Sequence, residues 1–176
     1  MTVRIRRGVA TDAPALADLA AITFPLATPP DTDPAAIVDF VREQLNVERF
    51  ASYLADPTRV LLVSEVDDRL VGYTMLIVAE PDDPEVLVAV TARPTVELSK
   101  FYVHPDDHGS GTAAALMTAT IDAARATGAT TVWLGVNNEN VRANRFYEKH
   151  GFAVVGTKHF LLGERFEDDF VRELVL

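Results

Sequence analysis

The chain contains no cysteine. That excludes a disulfide framework, a thiol nucleophile, an acyl group carried on a protein thiol and any cysteine-ligated metal. Of its four histidines only His104 and His108 are four apart, and with no third histidine or any cysteine beside them no metal site is readable. Long apolar runs are lacking as well, and none approaches the roughly 20 residues of a membrane-spanning helix. Thr2 to Gly8 carry three arginines but no apolar core of the kind a secretory leader needs, which makes the cytoplasm the expected compartment. Basic residues are scarce: 16 Lys and Arg against 26 Asp and Glu give a net charge of −10. That balance argues against binding nucleic acid or an anionic membrane and permits a cationic substrate. It also works against an anionic ligand at long range, so such a ligand would need a local cradle. No repeat, low-complexity segment or linker interrupts the chain.

What is present suits a single domain over residues 1–176. The chain is 48% hydrophobic and 24% charged, ordinary values for a globular protein with a substantial core. Val3 to Arg6 alternates apolar and basic residues and reads as a strand. Thr11-Asp12-Ala13-Pro14 is a helix start, with a capping residue and then proline in the first turn. Pro25, Pro29 and Pro30 break the chain. A second helix, or two short ones, is expected from about Ala35 to Leu54. Val60 to Val66 and Leu70 to Val78 read as antiparallel strands joined at Asp67-Asp68-Arg69. Pro81 to Pro84 reads as an acidic loop, and Val86 to Val90 as extra strand length. Later come strands at Val96 to Val103, Thr131 to Val136, Phe152 to Gly156 and Phe170 to Val175. Gly163 and an acidic loop, Glu164 to Asp169, are expected to separate the last strand from Lys158 to Leu162. The order βααβββαβαββ describes a mixed α/β (α+β) domain of about seven strands and about four helices.

The chain is organised around His104-Pro105-Asp106-Asp107-His108-Gly109-Ser110-Gly111-Thr112-Ala113. Pro105 ends the Val96 to Val103 strand, because it has no N–H for a ladder. An alanine-rich run, Thr112 to Ala126, follows with Leu116, Met117, Ile121 and Ala124 on one helical face, and Gly128 ends it. Gly109 and Gly111 thus lie on a loop that feeds a helix N-terminus, where backbone N–H groups are unpaired and the dipole is positive. One reading is a main-chain cradle for pyrophosphate; the other is a tight strand-to-helix turn with nothing bound. Without a Gly-Lys-Ser/Thr ending it is not a nucleotide P-loop, and without repeated βαβ units it is not a Rossmann site. Asp106 and Asp107 are expected to point away to solvent. A second stretch, Asn140-Val141-Arg142-Ala143-Asn144-Arg145-Phe146-Tyr147-Glu148-Lys149-His150-Gly151-Phe152, reads as a capped helix from Val141 to Lys149 that stops at Gly151.

These two motifs resemble those of the Gcn5-related N-acetyltransferases, the GNAT superfamily. The first follows that family's Gln/Arg-x-x-Gly-x-Gly/Ala pattern after a Val-x-Pro strand end, with His108 in place of the usual Gln or Arg. The second follows Asn-x-x-Ala-x-x-Phe-Tyr-x-x-x-Gly-Phe after a Trp-Leu-x-Val strand, here Trp133-Leu134-Gly135-Val136. The two occur in the family's order, and the resemblance covers nearly the whole chain. Over the C-terminal half it is similar to the PaiA-type enzymes, which resemble spermidine/spermine N-acetyltransferases. The residues that carry this closer likeness include Asn138-Glu139-Asn140, Val155-Gly156-Thr157 and His159-Phe160-Leu161-Leu162-Gly163. The resemblance implies a GNAT fold, acetyl-CoA as co-substrate with no metal, and a homodimer through exposed late strands. It implies that Phe101, Tyr102, Val103, His108, Gly109, Ser110, Gly111, Thr112, Ala113, Asn140, Asn144, Tyr147 and Lys149 bind coenzyme A.

Acetyl transfer to an amine requires three things: loss of a proton from an ammonium, polarisation of the thioester carbonyl and a proton for the departing thiolate. Tyr147 is the candidate acid, with an ordinary phenol pKa of about 10. A backbone N–H near Tyr102 or Val103 is the candidate oxyanion donor. Glu97 falls where the resemblance puts the base of histone-type members, with a simple charge contact to substrate as the rival role. Ser99, Tyr102, His104, His108 and His159 are weaker candidates. The expected acceptor is a polyamine such as spermidine or spermine, or another small amine. Asp31, Asp33, Asp39, Glu43 and Glu97 would form an acidic wall, unless they are ordinary solvated charges. The alternatives are a protein N-terminus or lysine as acceptor, and a non-catalytic acyl-CoA-binding or regulatory domain on the same fold.

Overall fold

In the computed structural model, which describes residues 2–176, one seven-stranded sheet separates two helical layers. The strands are β1 (Arg4–Arg7), β2 (Arg59–Val66), β3 (Arg69–Ile77), β4 (Thr95–Val103), β5 (Thr131–Asn137), β6 (Ala153–Leu162) and β7 (Arg165–Val175), in the spatial order β1-β2-β3-β4-β5-β7-β6. Every neighbouring pair is antiparallel except β4 and β5, which are parallel. The helices are α1 (Ala13–Thr23), α2 (Pro34–Gln44), α3 (Val47–Ala55), α4 (Pro84–Ala89), α5 (Thr112–Ala126) and α6 (Val141–Lys149). A short 3₁₀ turn, Phe24–Ala27, follows α1.

The apolar run of β2 reads as continuous because both faces of the strand are covered. Leu61 and Val63 pack with Leu16, Phe50 and Tyr73 under α1 and α3. Val60 and Leu62 pack on the opposite face with Leu116, Met117 and Ala124 of α5. Asp67 and Asp68 join β2 to β3 with φ of 50° and 60°, the geometry that a two-residue hairpin needs to match strand twist.

The structure departs from the sequence reading in four places. Residues 84–89 form a helix instead of extra strand. Asp83 accepts a hydrogen bond from the Glu85 N–H at 2.9 Å, Pro84 starts the first turn, and Val86 and Val90, four apart, pack on Trp133 and Val171. Cap and packing outweigh the β preference of valine. Of the two expected forms for the segment after α1, the structure has the two short helices, because Asn46 accepts from the Arg49 N–H at 2.8 Å and restarts the helix. With α4, that makes six helices where about four were expected. Residues 153–162 form one strand with a bulge between Val154 and Gly156, and the predicted acidic loop is largely strand, since β7 begins at Arg165. In β7, Glu167, Asp169 and Val171 alternate inward, so the acidic run carries a period of two. Finally, Asp106 is exposed as expected but Asp107 is buried and pairs with Arg69 at 3.2 Å.

The start of α1 is held by charge. Asp12 takes two hydrogen bonds from Arg6, at 2.8 and 2.9 Å, and a third from the Val9 N–H at 2.8 Å. Arg6 also reaches Glu65 of β2, which ties β1, β2 and the helix start together. The Arg6 hydrogen bonds hold the Asp12 carboxyl below its ordinary pKa. Such a carboxylate adds stability that is present above the ordinary carboxylate range and is lost as pH falls through the lowered native value. Asp12→Ala is expected to cost about 2 kcal/mol, or roughly 4–8 °C of melting temperature. Asp12→Asn is expected to flatten the acid side of a stability-versus-pH curve measured by urea unfolding.

Candidate functional site

The parallel pair β4 and β5 stays hydrogen-bonded only from Thr95↔Thr131 to Glu97↔Trp133. Beyond that point the strands part, and β4 runs on to Val103 with no partner on its β5 side. The His104 N–H bonds back to the Val71 carbonyl of β3 at 2.7 Å. By strand alternation the N–H groups of Phe101 and Val103 therefore face the fork. A cavity of about 380 Å³ fills the fork, lined by β4 from Glu97 to Val103, by Val136 and Asn137 of β5, and by Tyr147 of α6.

One bulge decides which side chains face this space. Met75 pairs with Lys100 and Leu76 with Leu98, so Ser99 is an extra residue in β4. A single added residue exchanges the two faces of a strand. Val96 and Leu98 before the bulge, and Phe101 and Val103 after it, all pack under α5 and α6. Glu97, Lys100 and Tyr102 accordingly share the other face. Burial pushes the Glu97 carboxyl up, against the pull of Lys158, Lys100 and Arg59. Burial also lowers the Lys100 amine to about 8, partly countered by Glu97. The Lys100 ammonium lies 5.7 Å from the Tyr53 ring centroid. Burial raises the Tyr102 phenol to about 12 and holds the Tyr147 phenol well above its ordinary value.

At the open end of β4, Gly109 and Gly111 have φ of 79° and 88°, and a Cβ built on either meets nothing within 4 Å. Among the described residues their N–H groups have no partner within the chain. Gly111 caps the 15-residue α5, so these N–H groups and the first turn of the helix converge on open space. His108 does not project from this loop. Its Nε2 meets the Val103 carbonyl at 2.8 Å and fastens the loop to the strand end. Ser110 bonds Asp107 and Thr112 at 2.6 and 2.8 Å and stiffens the turn.

A model of the acetyltransferase (GNAT) family matches residues 17–152. The chain belongs to that family. An uncharacterized N-acetyltransferase of Mycobacterium tuberculosis is 49% identical over 167 residues, covering 94% of this chain and 99% of the relative. Among solved structures, the PaiA N-acetyltransferase of Thermoplasma acidophilum in complex with coenzyme A superposes with a TM-score of 0.80 at 19% identity, over 100% of both chains. The yncA protein of Salmonella typhimurium, solved with its cofactor acetyl-CoA, gives 0.65 at 21% identity over 100% of this chain and 95% of that one. At these identities the two structures speak for the fold.

Not every residue singled out from the sequence of this acetyltransferase lies at the cavity. Glu97, Phe101, Tyr102, Val103, His108, Ala113, Asn140 and Tyr147 do. Gly109, Ser110, Gly111 and Thr112 form the adjoining loop and helix start. Lys149 is exposed at the far end of α6. Asn144 is buried, and its polar atoms are engaged within the chain. Its Nδ2 donates to the Asn137 and Asn140 carbonyls, both at 3.0 Å, and its Oδ1 accepts from Arg172 Nε at 3.0 Å. The acidic wall does not assemble. Asp31 pairs with Arg165, Asp33 caps α2, and Asp39 and Glu43 flank the exposed Arg42, which leaves Glu97 alone of the five at the cavity. His159 is exposed and bridges Glu85 and Asp168.

The sequence reading missed Lys100, Arg142, Lys158 and Asp169, all of which line the cavity. Asp169 and Lys158 are cross-strand partners on β7 and β6 that lie over Gly135 of β5. A Cβ there would stand 2.7 Å from Lys158 Cε and 3.2 Å from Asp169 Oδ2. A lone glycine inside an apolar strand was the available signal, since it marks close approach by another group.

Asn144 links α6 to β5 and β7, so its loss should be felt as stability. Asn144→Ala leaves a buried Arg172 guanidinium short of one acceptor and two carbonyls short of a donor. The expected cost is about 2–3 kcal/mol, read as a melting temperature lower by roughly 5–10 °C.

Proposed function

We propose that this acetyltransferase moves the acetyl group of acetyl-CoA to a small primary amine by direct attack, with both substrates held in the fork at once. The observation that carries the reading is the fork itself: an open N–H cradle at one end, a cluster of ionisable side chains at the other, and Tyr147 between them. The residues present fit the donor. Gly109, Gly111 and the first turn of α5 would receive its pyrophosphate, and the free edge of β4 would receive its amide arm. Arg142, at the cavity on α6, adds a cation in a chain whose net charge is −10. With no cysteine in the chain, no acyl group is carried on a protein thiol. When bound, acetyl-CoA supplies the activated carbonyl and a thiolate leaving group.

The protein's part is to orient and to handle protons. Phe101 and Val103 have N–H groups facing the fork, so either can donate to the carbonyl oxygen as charge builds there. Burial keeps the Tyr147 phenol protonated at every working pH, so a proton is available for the departing sulfur. As the amine nitrogen bonds to the acetyl carbon, the C–S bond breaks, the phenol proton passes to sulfur, and the proton shed by the acylated nitrogen restores the phenol.

The cavity walls favour an amine on an apolar body. Phe24, Leu26, Phe40, Leu45 and Phe160 line the side opposite α6, where a polycation would need repeated carboxylates. A polyamine is the second reading, favoured by the likeness to the PaiA enzyme and by the net charge. Thiol release from acetyl-CoA, followed with 2-phenylethylamine, spermidine and a peptide N-terminus as acceptors, separates the cases. The expected order puts 2-phenylethylamine first, and faster release with spermidine would overturn the apolar-acceptor reading. A protein that binds acetyl-CoA and releases thiol with none of them would speak for a binding domain.

Two variants test the donor side. Tyr147→Phe is expected to lower kcat about 100-fold with little change in the KM for acetyl-CoA. Gly111→Ala is expected to raise that KM about tenfold, the worth of one lost contact of about 1.5 kcal/mol, while melting only about 2–4 °C lower from backbone strain.

A further inference from the structure

We infer that Asp169 of β7, standing over Gly135, and not Glu97, is the group that receives the proton from the acceptor's ammonium. The inference rests on the amine acetyltransferase reading above. Three observations lead to it. First, Asp169 is 9% exposed and lines the cavity, yet no hydrogen bond to its carboxylate is found among the described residues. Second, Gly135 lies on β5 just past the point where β4 and β5 separate, and the missing side chain lets Asp169 Oδ2 reach this spot. A larger residue at position 135 would fill the space.

The third observation separates the two carboxylates of the cavity. Around Glu97 stand three cations, Lys158, Lys100 and Arg59, against one anion, Asp82. That surrounding is already positive and repels a second ammonium. Around Asp169 stand one cation, Lys158 of β6, and two anions, Glu167 and Asp168 of its own strand, with the Tyr102 phenol facing it from β4. This surrounding attracts an ammonium. Burial, countered by Lys158, raises the Asp169 carboxyl to about 6. Such a group is ionised at neutral pH and still basic enough to take a proton directly or through one water. The step balances: the N–H proton moves to the Asp169 oxygen, the freed lone pair forms the C–N bond, and Asp169 later returns the proton to solvent.

The test is the pH dependence of kcat/KM for the full-length protein with 2-phenylethylamine and acetyl-CoA. The wild type is expected to lose activity on the acid side with an apparent pKa near 6. Asp169→Asn, which keeps size and shape, should lower kcat about 100-fold, abolish that limb and leave the KM for acetyl-CoA within twofold. Glu97→Gln should keep the limb even as its rate falls. Lys158→Met removes the cation that favours the ionised carboxylate, so the limb should move to higher pH. A limb that survives in Asp169→Asn overturns the assignment, and so does one that vanishes in Glu97→Gln, which remains decisive if the Asp169 variant fails to fold. Asp169→Asn that loses only thermal stability or acetyl-CoA affinity also overturns it. Wild-type protein that turns over no amine takes down the parent reading, and the assignment with it.

Discussion

The structure depends on a ladder that stops early. β4 and β5 are the one parallel pair in the sheet, and they share hydrogen bonds over three residues before they part. Parallel strands joined through a helix must enter side by side, but nothing obliges them to stay together once each is packed on its own neighbour. β3 holds β4 from the left and β7 holds β5 from the right, each along most of its length. The fork therefore opens in the middle of the molecule without loosening either half. Two central strand edges are left with N–H and C=O groups that need partners, and an extended amide chain is the ligand shape that can supply them.

The bulge at Ser99 makes the fork useful for chemistry. Without it, Glu97 and Lys100 would point to opposite faces, as residues three apart on a strand do. With it, the α5 side of β4 remains apolar from end to end, while the opposite face collects Glu97, Lys100 and Tyr102. The charges of the neighbouring strands then meet them across the opening, because Lys158 and Asp169 both lean over the side-chain gap at Gly135. A buried cluster of this kind is tolerable only when its members are near balance. Lys100 and Lys158 stand here with Glu97 and Asp169, and Arg142, which also lines the cavity, is exposed.

Much of this was legible in the sequence, and the reason is periodicity and punctuation. α5 and α6 have the bounds that their apolar spacing and flanking glycines indicate, and the Gly109 to Gly111 loop sits at the helix start that Pro105 announces. What could not be read depends on contacts between distant segments. Nothing local shows that Ser99 is an extra residue, because the bulge exists only relative to β3. Valine-rich residues 86–90 carry a strand preference, and packing on Trp133 and Val171 joins the Asp83 cap in making 84–89 a helix. Asp169 sits in a run of acids that looks like a solvated loop until β7 is paired with β5 and β6. His108 occupies a motif position, yet its ring turns inward to Val103, a choice set by geometry that a spacing pattern does not contain.

The proposed acceptor end shows why overall charge is a poor guide to a site. A net charge of −10 invites a polycation, yet Asp31, Asp33, Asp39 and Glu43 are engaged with Arg165, with the α2 cap and with Arg42, outside the cavity. Inside it, the carboxylates Glu97 and Asp169 face Lys100 and Lys158, and the rest of the opposing wall is aromatic and aliphatic. Charges outside the cavity are screened over about 10 Å at ordinary salt, so they can draw a cation toward the protein but do not select it within the fork. Selection falls to what lies within a few ångströms: one carboxylate whose surroundings are negative, and apolar surface beside it. A single ammonium on an apolar body satisfies both, whereas each further charge of a polyamine would have to be desolvated against phenylalanine and leucine.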